Sequence, residues 1–144
     1  MVKSLFKNGE LAWELKEYPL LSDSSGELGV VELGKDFDFD VKRVFFLRKV
    51  HSEQVRGKHS HVDLKQFIVC LNGSYTISLD NGTCKDYVRM NSENKCLYID
   101  GRVWREMYDF SNDAVMIVLC DREYRFDKVI RDRLESNRIL NGLI

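Results

Sequence analysis

The sequence lacks several features that mark common classes of protein. Its four cysteines, Cys70, Cys84, Cys96 and Cys120, form no Cys-x-x-Cys pair. This spacing argues against a zinc site or a thioredoxin-like redox site, and we expect free thiols in the core. No apolar run approaches the roughly 20 residues of a membrane span, and the first residues carry no secretory cleavage pattern. We therefore expect a soluble cytoplasmic protein.

An excess of charge of one sign is also missing. The 22 Lys and Arg residues nearly balance the 23 Asp and Glu residues, for a formal net charge of -1. Because the two signs are interspersed, no overall field attracts nucleic acid or a membrane surface. Repeats, linkers and low-complexity segments are absent too. With 144 residues, of which 44% are hydrophobic, the chain is expected to form one domain over residues 1–144.

Short apolar and aromatic runs alternate with turn signals, which is typical of an all-β sandwich or barrel. The predicted strands are 41–48, 66–71, 73–79, 84–90, 95–99, 103–108 and 114–120. The β-branched content of the last run favours a strand buried on both faces. Asp80-Asn81-Gly82 predicts a tight hairpin turn with left-handed residues. Apolar residues at near-helical spacing predict a short amphipathic C-terminal helix over about 126–140.

Two of the three histidines, His59 and His61, lie one residue apart directly upstream of the strand predicted at 66–71. In an extended chain, alternation places both on one face with Cα atoms roughly 7 Å apart. The unperturbed pKa of histidine lies near neutrality, so two imidazoles in one space indicate proton transfer or metal binding. The third histidine, His51, lies in a polar loop and is expected to be exposed to solvent.

The residues around the pair bear on the metal alternative. A His-x-His pair before a central strand resembles the cupin pattern, and this resemblance implies a cupin or jelly-roll antiparallel β-sandwich. The positions of the cupin glutamate and glycine hold Gln66 and Gly73, and the position of the third cupin histidine holds Arg105. A guanidinium cannot ligate a metal, and stable transition-metal binding usually needs at least three protein donors. We therefore expect no metal here.

Four segments make a more specific resemblance. They are 42–46, Arg56–His61, 70–74 and 103–110, in order and with compatible spacing from about 26 to about 132. Together they resemble the bacterial thymidine-diphosphate 4-keto-6-deoxyhexose 3,4-ketoisomerases, which are metal-independent cupin enzymes. The resemblance implies no cofactor and a homodimer whose N-terminal strands cross to the partner's sheet. It also implies a step toward 3-amino-3,6-dideoxyhexoses, N-formylated or N-acetylated, for surface polysaccharides such as lipopolysaccharide O-antigen.

The implied reaction moves the carbonyl of thymidine-diphosphate 4-keto-6-deoxy-D-glucose from C4 to C3 through an enediolate. It needs a base for the C3 proton and a second group that shuttles protons between the oxygens. His59 and His61 fit both roles, and which of them takes the carbon-bound proton stays open. Arg105 would stabilise the enediolate oxygen electrostatically, and Gln66 would orient an imidazole or the substrate.

The nucleotide diphosphate of such a substrate needs cationic donors. A guanidinium fork suits phosphate oxygens well, so Arg56, beside the histidines, is the first candidate. Lys58 and Arg43 stand behind it as further candidates. Trp104 and Tyr108 would offer flat faces or a hydroxyl near the thymine or the sugar, although aromatic residues on a strand more often belong to the core.

Two departures and two alternatives accompany this prediction. Family members often carry tyrosine where this chain has Phe45-Phe46, so a phenolic hydroxyl there is lost or is replaced by Tyr108 or water. Arginine at position 105 favours the gluco product, but the C4 configuration, gluco or galacto, stays open. One alternative function is a 3,5-epimerase acting on the same 4-keto sugars. The other is a non-catalytic sugar-binding cupin module, in which the histidines only hydrogen-bond a ligand.

Overall fold

The computed structural model describes residues 3–32, 34–35, 38–91 and 94–142. The strands in these ranges are β1 Lys3–Leu5, β2 Leu11–Glu17, β3 Leu20–Asp23, β4 Gly26–Gly29, β5 Arg43–Arg48, β6 Arg56–His61, β7 Lys65–Asn72, β8 Ser74–Asp80, β9 Lys85–Asn91, β10 Lys95–Asp100, β11 Trp104–Tyr108, β12 Val115–Cys120 and β13 Val129–Ile130. A 3₁₀ turn, Tyr124–Phe126, precedes β13, and the helix α1, Arg133–Asn141, follows it.

The strands form two large antiparallel sheets. One has six strands in the order β1-β2-β10-β7-β12-β5, and the other has five in the order β13-β6-β11-β8-β9. The hairpin of β3 and β4 forms a small third sheet. The two large sheets are separate in the described part of the chain, so the architecture is a sandwich and not a closed barrel. The predicted all-β class and antiparallel sandwich are confirmed.

The main core lies between the two large sheets. Period-two alternation sends one set of side chains from each strand inward, as Ile68 and Leu97 do from one sheet and Ile77 and Leu79 from the other. Each of these four side chains is at most 1% exposed. Burying a Leu or Ile side chain stabilises a fold by about 1.5–3 kcal/mol, so this cluster supplies much of the driving force.

The outer face of the six-stranded sheet carries a second, smaller cluster. Strand β12 was predicted to be buried on both faces, but only its inward residues are fully buried, and Ile117 and Leu119 are half-buried. They pack with Tyr18, Phe67 and Val69 in this outer cluster. The prediction was wrong for the outer face because the N-terminal segment covers only part of it.

The connection between β8 and β9 differs from the predicted tight turn. It spans residues 81–84, and within it only Gly82 is left-handed, with φ of 92°. Asn81 is 2% exposed. Its Oδ1 accepts a hydrogen bond from the Thr83 backbone at 2.9 Å, and its amide donates to the Leu5 carbonyl at 2.7 Å. The Asn81 side chain thus connects the hairpin to β1.

The C-terminal helix begins later than the predicted residue 126. The side chain of Asp132 accepts a hydrogen bond from the Leu134 backbone at 2.9 Å and caps the helix, which starts at Arg133. Before it, Val129 and Ile130 pair with His61 and Ser60 of β6. Phe126 therefore ends a 3₁₀ turn, and Val129 and Ile130 form a short strand because the free edge of β6 offers them hydrogen-bond partners. No helix in the described part of the chain has the length and apolar composition to cross a membrane.

Candidate active site

A cavity of about 100 Å³ lies between the two large sheets. Five strands, β5, β6, β7, β11 and β12, contribute inward-facing side chains to its wall. The polar lining residues are Arg56, His59, Gln66 and Arg105, and the others are Phe45, Leu47, Gly57, Ile68, Met107, Met116 and Val118. The cavity therefore combines an apolar wall with a few convergent polar groups, which is typical of small-molecule sites.

A bulge in β6 sets the direction of the first polar groups. Across β11, Arg105 pairs with His59 and Glu106 pairs with Gly57, so Lys58 is the extra residue. Gly57 and Lys58 have φ of 83° and 55°. A Cβ on Gly57 would lie 3.0 Å from the Arg105 carbonyl oxygen and 2.8 Å from the Met107 side chain, so glycine fits best here. The extra residue lets both position 56 and His59 line the cavity, although strict alternation would separate them.

The two histidines of β6 meet as the alternation of the strand predicts. Their Nε2 atoms are 3.1 Å apart, and their rings stand edge to face with centroids 4.7 Å apart. The side chain of His61 is 5% exposed. His59 is half-buried and lines the cavity, whereas His61 lies behind it. One hydrogen bond thus links His59 at the cavity to the buried ring of His61.

Both imidazoles are weakly basic in this environment. Burial lowers the pKa of His59 to about 4, and the nearby Arg105 guanidinium contributes to the shift. Burial and the same guanidinium also hold the pKa of His61 well below its usual value. Both rings are therefore neutral at pH 7 and can accept a proton.

Asp127 completes this group, and sequence reasoning missed it. Its Oδ1 lies 2.7 Å from Nδ1 of His61, and its Oδ2 accepts a hydrogen bond from Nη2 of Arg43 at 2.9 Å. The carboxylate is 6% exposed. Burial opposes ionisation, but the hydrogen bonds from Arg43 and His61 hold the pKa of Asp127 below its usual value. The only signal in the sequence is the β-branched pair Val129-Ile130, which marks the short strand that carries Asp127 to β6.

Arg105 is a buried cation bonded to neutral oxygens. It is 2% exposed. Its Nε donates to the Val103 carbonyl at 3.0 Å, and its Nη2 donates to the carbonyls of Asp100 and Gly101, both at 3.2 Å. Its Nη1 donates to Oε1 of Gln66. Burial lowers the pKa of Arg105 to about 10, so the guanidinium stays charged at neutral pH.

The two departures from the cupin metal pattern thus contact each other. Gln66 bonds the Arg105 guanidinium through its oxygen and Cys120 Sγ through its nitrogen at 3.5 Å. It therefore orients the arginine, and neither imidazole is among these partners. Within the described ranges, no group of three or more His, Cys, Asp and Glu side chains is arranged to hold a metal ion.

The remaining predicted site residues divide between the cavity and other surfaces. Arg56 is exposed at the cavity, and Lys58 is exposed beside it but does not line it. Trp104 and Tyr108 lie on the opposite face of β11 from Arg105, outside the cavity lining. Trp104 donates from Nε1 to Glu106 at 3.1 Å. The structure therefore does not bring the two aromatic residues to the histidines.

The phenylalanine pair in β5 also divides between two faces. Phe45 lines the cavity, whereas Phe46 points outward and is 59% exposed. The cavity wall is therefore apolar at the position where the resemblance implies a hydroxyl. Tyr108 does not replace that hydroxyl, because its side chain faces away from the cavity. The predicted exposure of His51 is confirmed, as are the four free cysteines.

Comparison with known proteins identifies close relatives. Residues 12–140 match the model of the FdtA family, described as WxcM-like, C-terminal. The TDP-4-oxo-6-deoxy-α-D-glucose-3,4-oxoisomerase of Aneurinibacillus thermoaerophilus is 40% identical over 109 residues, which cover 76% of this chain and 78% of that protein.

Two solved structures are similar over most of the chain. One is a histidine-to-asparagine variant of the 3,4-ketoisomerase QdtA from Thermoanaerobacterium thermosaccharolyticum in complex with TDP-4-keto-6-deoxyglucose. It is 33% identical with a TM-score of 0.85, over 90% of this chain and 94% of that chain. The other is a 3,4-ketoisomerase from Helicobacter canadensis, which is 30% identical with a TM-score of 0.83, over 90% of this chain and 97% of that chain.

Proposed function

The chain belongs to the FdtA family and is a TDP-sugar 3,4-ketoisomerase, and from that premise we propose that it converts TDP-4-keto-6-deoxyglucose to a TDP-3-keto-6-deoxyhexose. The observation that carries the proposal is the pair of imidazoles whose Nε2 atoms are 3.1 Å apart, of which His59 lines the cavity. The substrates named for two relatives support the choice of sugar.

The reaction needs two proton movements and no redox cofactor. A base takes the proton on C3, which the C4 carbonyl acidifies, and the electron pair forms the C3–C4 double bond of an enediolate. The proton of the C3 hydroxyl passes to the oxygen on C4, the C3 carbonyl forms, and the protonated base returns a proton to C4. The hydrogen-bonded pair of His59 and His61 supplies the proton acceptor, because both imidazoles are neutral at pH 7. General acid and base groups contribute about 10²- to 10⁴-fold each.

Arg105 supplies positive charge where the enediolate forms. Four of its five N–H donors bond neutral oxygens of Val103, Asp100, Gly101 and Gln66, and no direct carboxylate partner is found for it among the described residues. One Nη1 proton remains beside the cavity. A preorganised donor in a water-poor site stabilises a developing oxyanion at little reorganisation cost.

The nucleotide end of the substrate would meet Arg56. This residue is exposed and lines the cavity, so its guanidinium, which forms no ion pair within the described ranges, can form paired hydrogen bonds with diphosphate oxygens. Lys58, exposed next to it, adds positive charge at the same rim. Arg43 is a weaker candidate, because its guanidinium already bonds Asp127.

The proposed function is tested by incubating chelator-treated protein with TDP-4-keto-6-deoxyglucose, coupled to a 3-aminotransferase that traps the unstable product. We expect turnover to a 3-amino sugar without added metal. In deuterated water, NMR should show the carbonyl at C3 and no label at C5. A product labelled at C5 with the ketone still at C4 would indicate an epimerase, and binding without turnover would indicate a sugar-binding module.

We also propose that the chain is a single domain that assembles as a homodimer through its N-terminal strands. Exposed apolar side chains on the β3–β4 hairpin and the outer face of the six-stranded sheet support this. They are Leu21, Leu28, Val44, Phe46 and Leu71, each between 53% and 61% exposed. Light scattering should give twice the 16.9 kDa mass of the chain, and Phe46→Glu should shift it toward monomer. A monomeric wild-type protein at micromolar concentration would contradict this proposal.

The cytoplasm is the proposed location. Four free cysteines, three of them buried, suit a reducing compartment, in which disulfides are rare. The use of the product in surface polysaccharides stays a prediction from the resemblance. Cell fractionation with an antibody against the chain tests the location, and activity in the membrane or exported fraction alone would contradict it.

A further inference from the structure

We propose that Asp127 is a positioning residue that fixes the tautomers of both histidines, so that His59 donates from Nε2 to His61 and keeps the lone pair of its ring on Nδ1. This inference rests on the proposed function, because it assigns the two histidines different parts in the same proton transfer. The geometry that carries it is a continuous chain of hydrogen bonds from Arg43 through Asp127 and His61 to His59.

The first step of the argument concerns His61. An ionised carboxylate has no hydrogen to donate, so the 2.7 Å contact with Oδ1 of Asp127 requires that Nδ1 of His61 carries the proton. A neutral imidazole has one protonated nitrogen. Nε2 of His61 is therefore an acceptor, and His61 has no free nitrogen with which to attack a carbon-bound proton.

The second step fixes His59. Its Nε2 lies 3.1 Å from Nε2 of His61, which is already an acceptor, so Nε2 of His59 must be the donor. The lone pair of the neutral ring then lies on Nδ1. This atom is buried and has no partner with full hydrogen-bond geometry among the described residues, while a weaker contact with the Gly57 backbone acts to raise the pKa of the ring. His59 also lines the cavity, so it is the base, and His61 with Asp127 receives the positive charge that develops behind it.

The third step concerns what holds Asp127 in place. Strand β13 begins two residues after it and pairs with β6, where Val129 opposes His61. Behind the histidines, the hydroxyl of Ser60 lies 2.9 Å from that of Ser136 on α1, in a buried contact. The segment from Asp127 to α1 therefore packs along the histidine strand, and the carboxylate has little freedom to move.

Arg43 makes the asparagine variant informative. Its Nη2 donates to Oδ2 of Asp127, so in Asp127→Asn the amide oxygen will turn toward Arg43 and the amide nitrogen toward His61. An N–H group facing Nδ1 of His61 requires a lone pair there, which reverses both tautomers and protonates Nδ1 of His59. Removing the competing donor with Arg43→Met allows the amide oxygen to return to His61.

The test combines spectroscopy and kinetics. In wild-type protein labelled with ¹⁵N-histidine, long-range ¹H–¹⁵N spectra at pH 7 should show the Nδ1–H form of His61 and the Nε2–H form of His59. Asp127→Asn should lower kcat by about 10²- to 10⁴-fold with KM changed less than about threefold. The double variant with Arg43→Met should regain at least about tenfold of the lost kcat. Asp63→Asn is the control, because that exposed carboxylate pairs with Arg122 on the surface, and its kcat should equal that of wild type.

Three results would overturn the proposal. They are the Nε2–H form of His61 in the wild-type protein, a wild-type kcat in Asp127→Asn, and a double variant no faster than the single one. If Asp127→Asn fails to fold, the wild-type spectra still decide the question. The spectra need no substrate, so a wild-type protein without isomerase activity but with the expected tautomers would contradict the proposed function and support the inference.

Discussion

The two faces of β11 carry adjacent residues with opposite environments. Arg105 and Met107 point into the cavity, while Trp104, Glu106 and Tyr108 point away from it. On the inner face, a buried guanidinium bonds neutral oxygens. On the outer face, the Arg133 guanidinium lies 4.8 Å from the centre of the Trp104 ring and is 38% exposed. Successive residues of one sequence motif can therefore have different roles, one facing the catalytic cavity and the next packing on the opposite face, because side chains alternate along a strand.

The largest effect is expected where the inner face of β11 meets β6. We predict that His59→Asn and His61→Asn each lower kcat at least about a hundredfold and leave the fold intact, because each removes a proton acceptor. Circular dichroism checks the fold, and the coupled assay measures kcat. A near-wild-type rate in both variants would contradict the mechanism.

Arg105→Met should lower kcat by about 10²- to 10³-fold, since the oxyanion loses its preorganised charge. It should also reduce the free energy of unfolding by roughly 3 kcal/mol, because the carbonyls of Val103, Asp100 and Gly101 lose their donors. Urea unfolding separates this cost from the loss of activity. Equal kcat values for Arg105→Met and Tyr108→Phe would contradict the prediction that only the inner face of β11 takes part in catalysis.

The dependence of kcat/KM on pH tests the effect of the Arg105 guanidinium on the pKa of His59. Burial is the largest cause that lowers the pKa of His59 to about 4. The charges of Arg105 and Arg131 add to this shift, and a backbone hydrogen bond with Gly57 and the charge of Asp127 oppose it. The base form is lost only as pH falls through this value, so kcat/KM should persist below pH 6. At pH 5 a group of pKa 4 is about 30-fold more available as a base than one of pKa 6.5. Arg105→Met should move the acid limb upward, and an acid limb at 6.5 in wild type would contradict the assignment.

The same shift affects stability. The unfolded chain binds a proton at His59 near pH 6.5, and the folded chain binds it only near 4, so stability falls as pH drops through this interval. The loss is on the order of 3 kcal/mol and is absent above pH 6.5. Thermal melts of wild type and His59→Asn between pH 4 and pH 7 measure it as a difference between the two proteins. Parallel melting curves would show that His59 titrates normally.

Gly57→Ala should have an intermediate effect, because a Cβ there meets Met107 and the Arg105 carbonyl at a positive φ. We expect a loss of about 1–3 kcal/mol in the free energy of unfolding and roughly a tenfold loss of kcat, since the bulge aims His59. Gly9→Ala is a useful control, because it is also left-handed but has open space around it. Equal kcat in the two variants would contradict the claim that the bulge in β6 positions His59 for catalysis.

The smallest effects belong to the outer face of β11. Tyr108→Phe and Trp104→Phe should each change kcat and KM by less than about threefold, because neither side chain lines the cavity. Steady-state kinetics with TDP-4-keto-6-deoxyglucose check this. A large rise in KM for either variant would restore the sequence prediction that these aromatic residues bind the thymine or the sugar.

The sequence was a good guide where local pattern decides the structure. The apolar run of β7 and the alternation within β8 predicted strands, and the His59–His61 spacing predicted that the two rings meet. The bulge at Gly57 and Lys58 escaped prediction, because an extra residue is visible only once β6 is paired with β11.

Asp127 escaped for a related reason. Its neighbours fit a helical period as well as a strand, and only pairing of β13 with the edge of β6 decides between them. The directions of Trp104 and Tyr108 likewise depend on which face of β11 turns toward the cavity. The pairing of strands distant in the sequence determines each of these features, and the local sequence alone does not predict that pairing.

The most direct test of the central claim follows the hydrogen on C3 of TDP-4-keto-6-deoxyglucose by NMR in deuterated water. Wild-type protein should exchange or transfer this hydrogen, and His59→Asn should do so at least about a hundredfold more slowly while binding TDP within about threefold of wild type. A His59→Asn protein that removes the C3 hydrogen at the wild-type rate would contradict the assignment of His59 as the base.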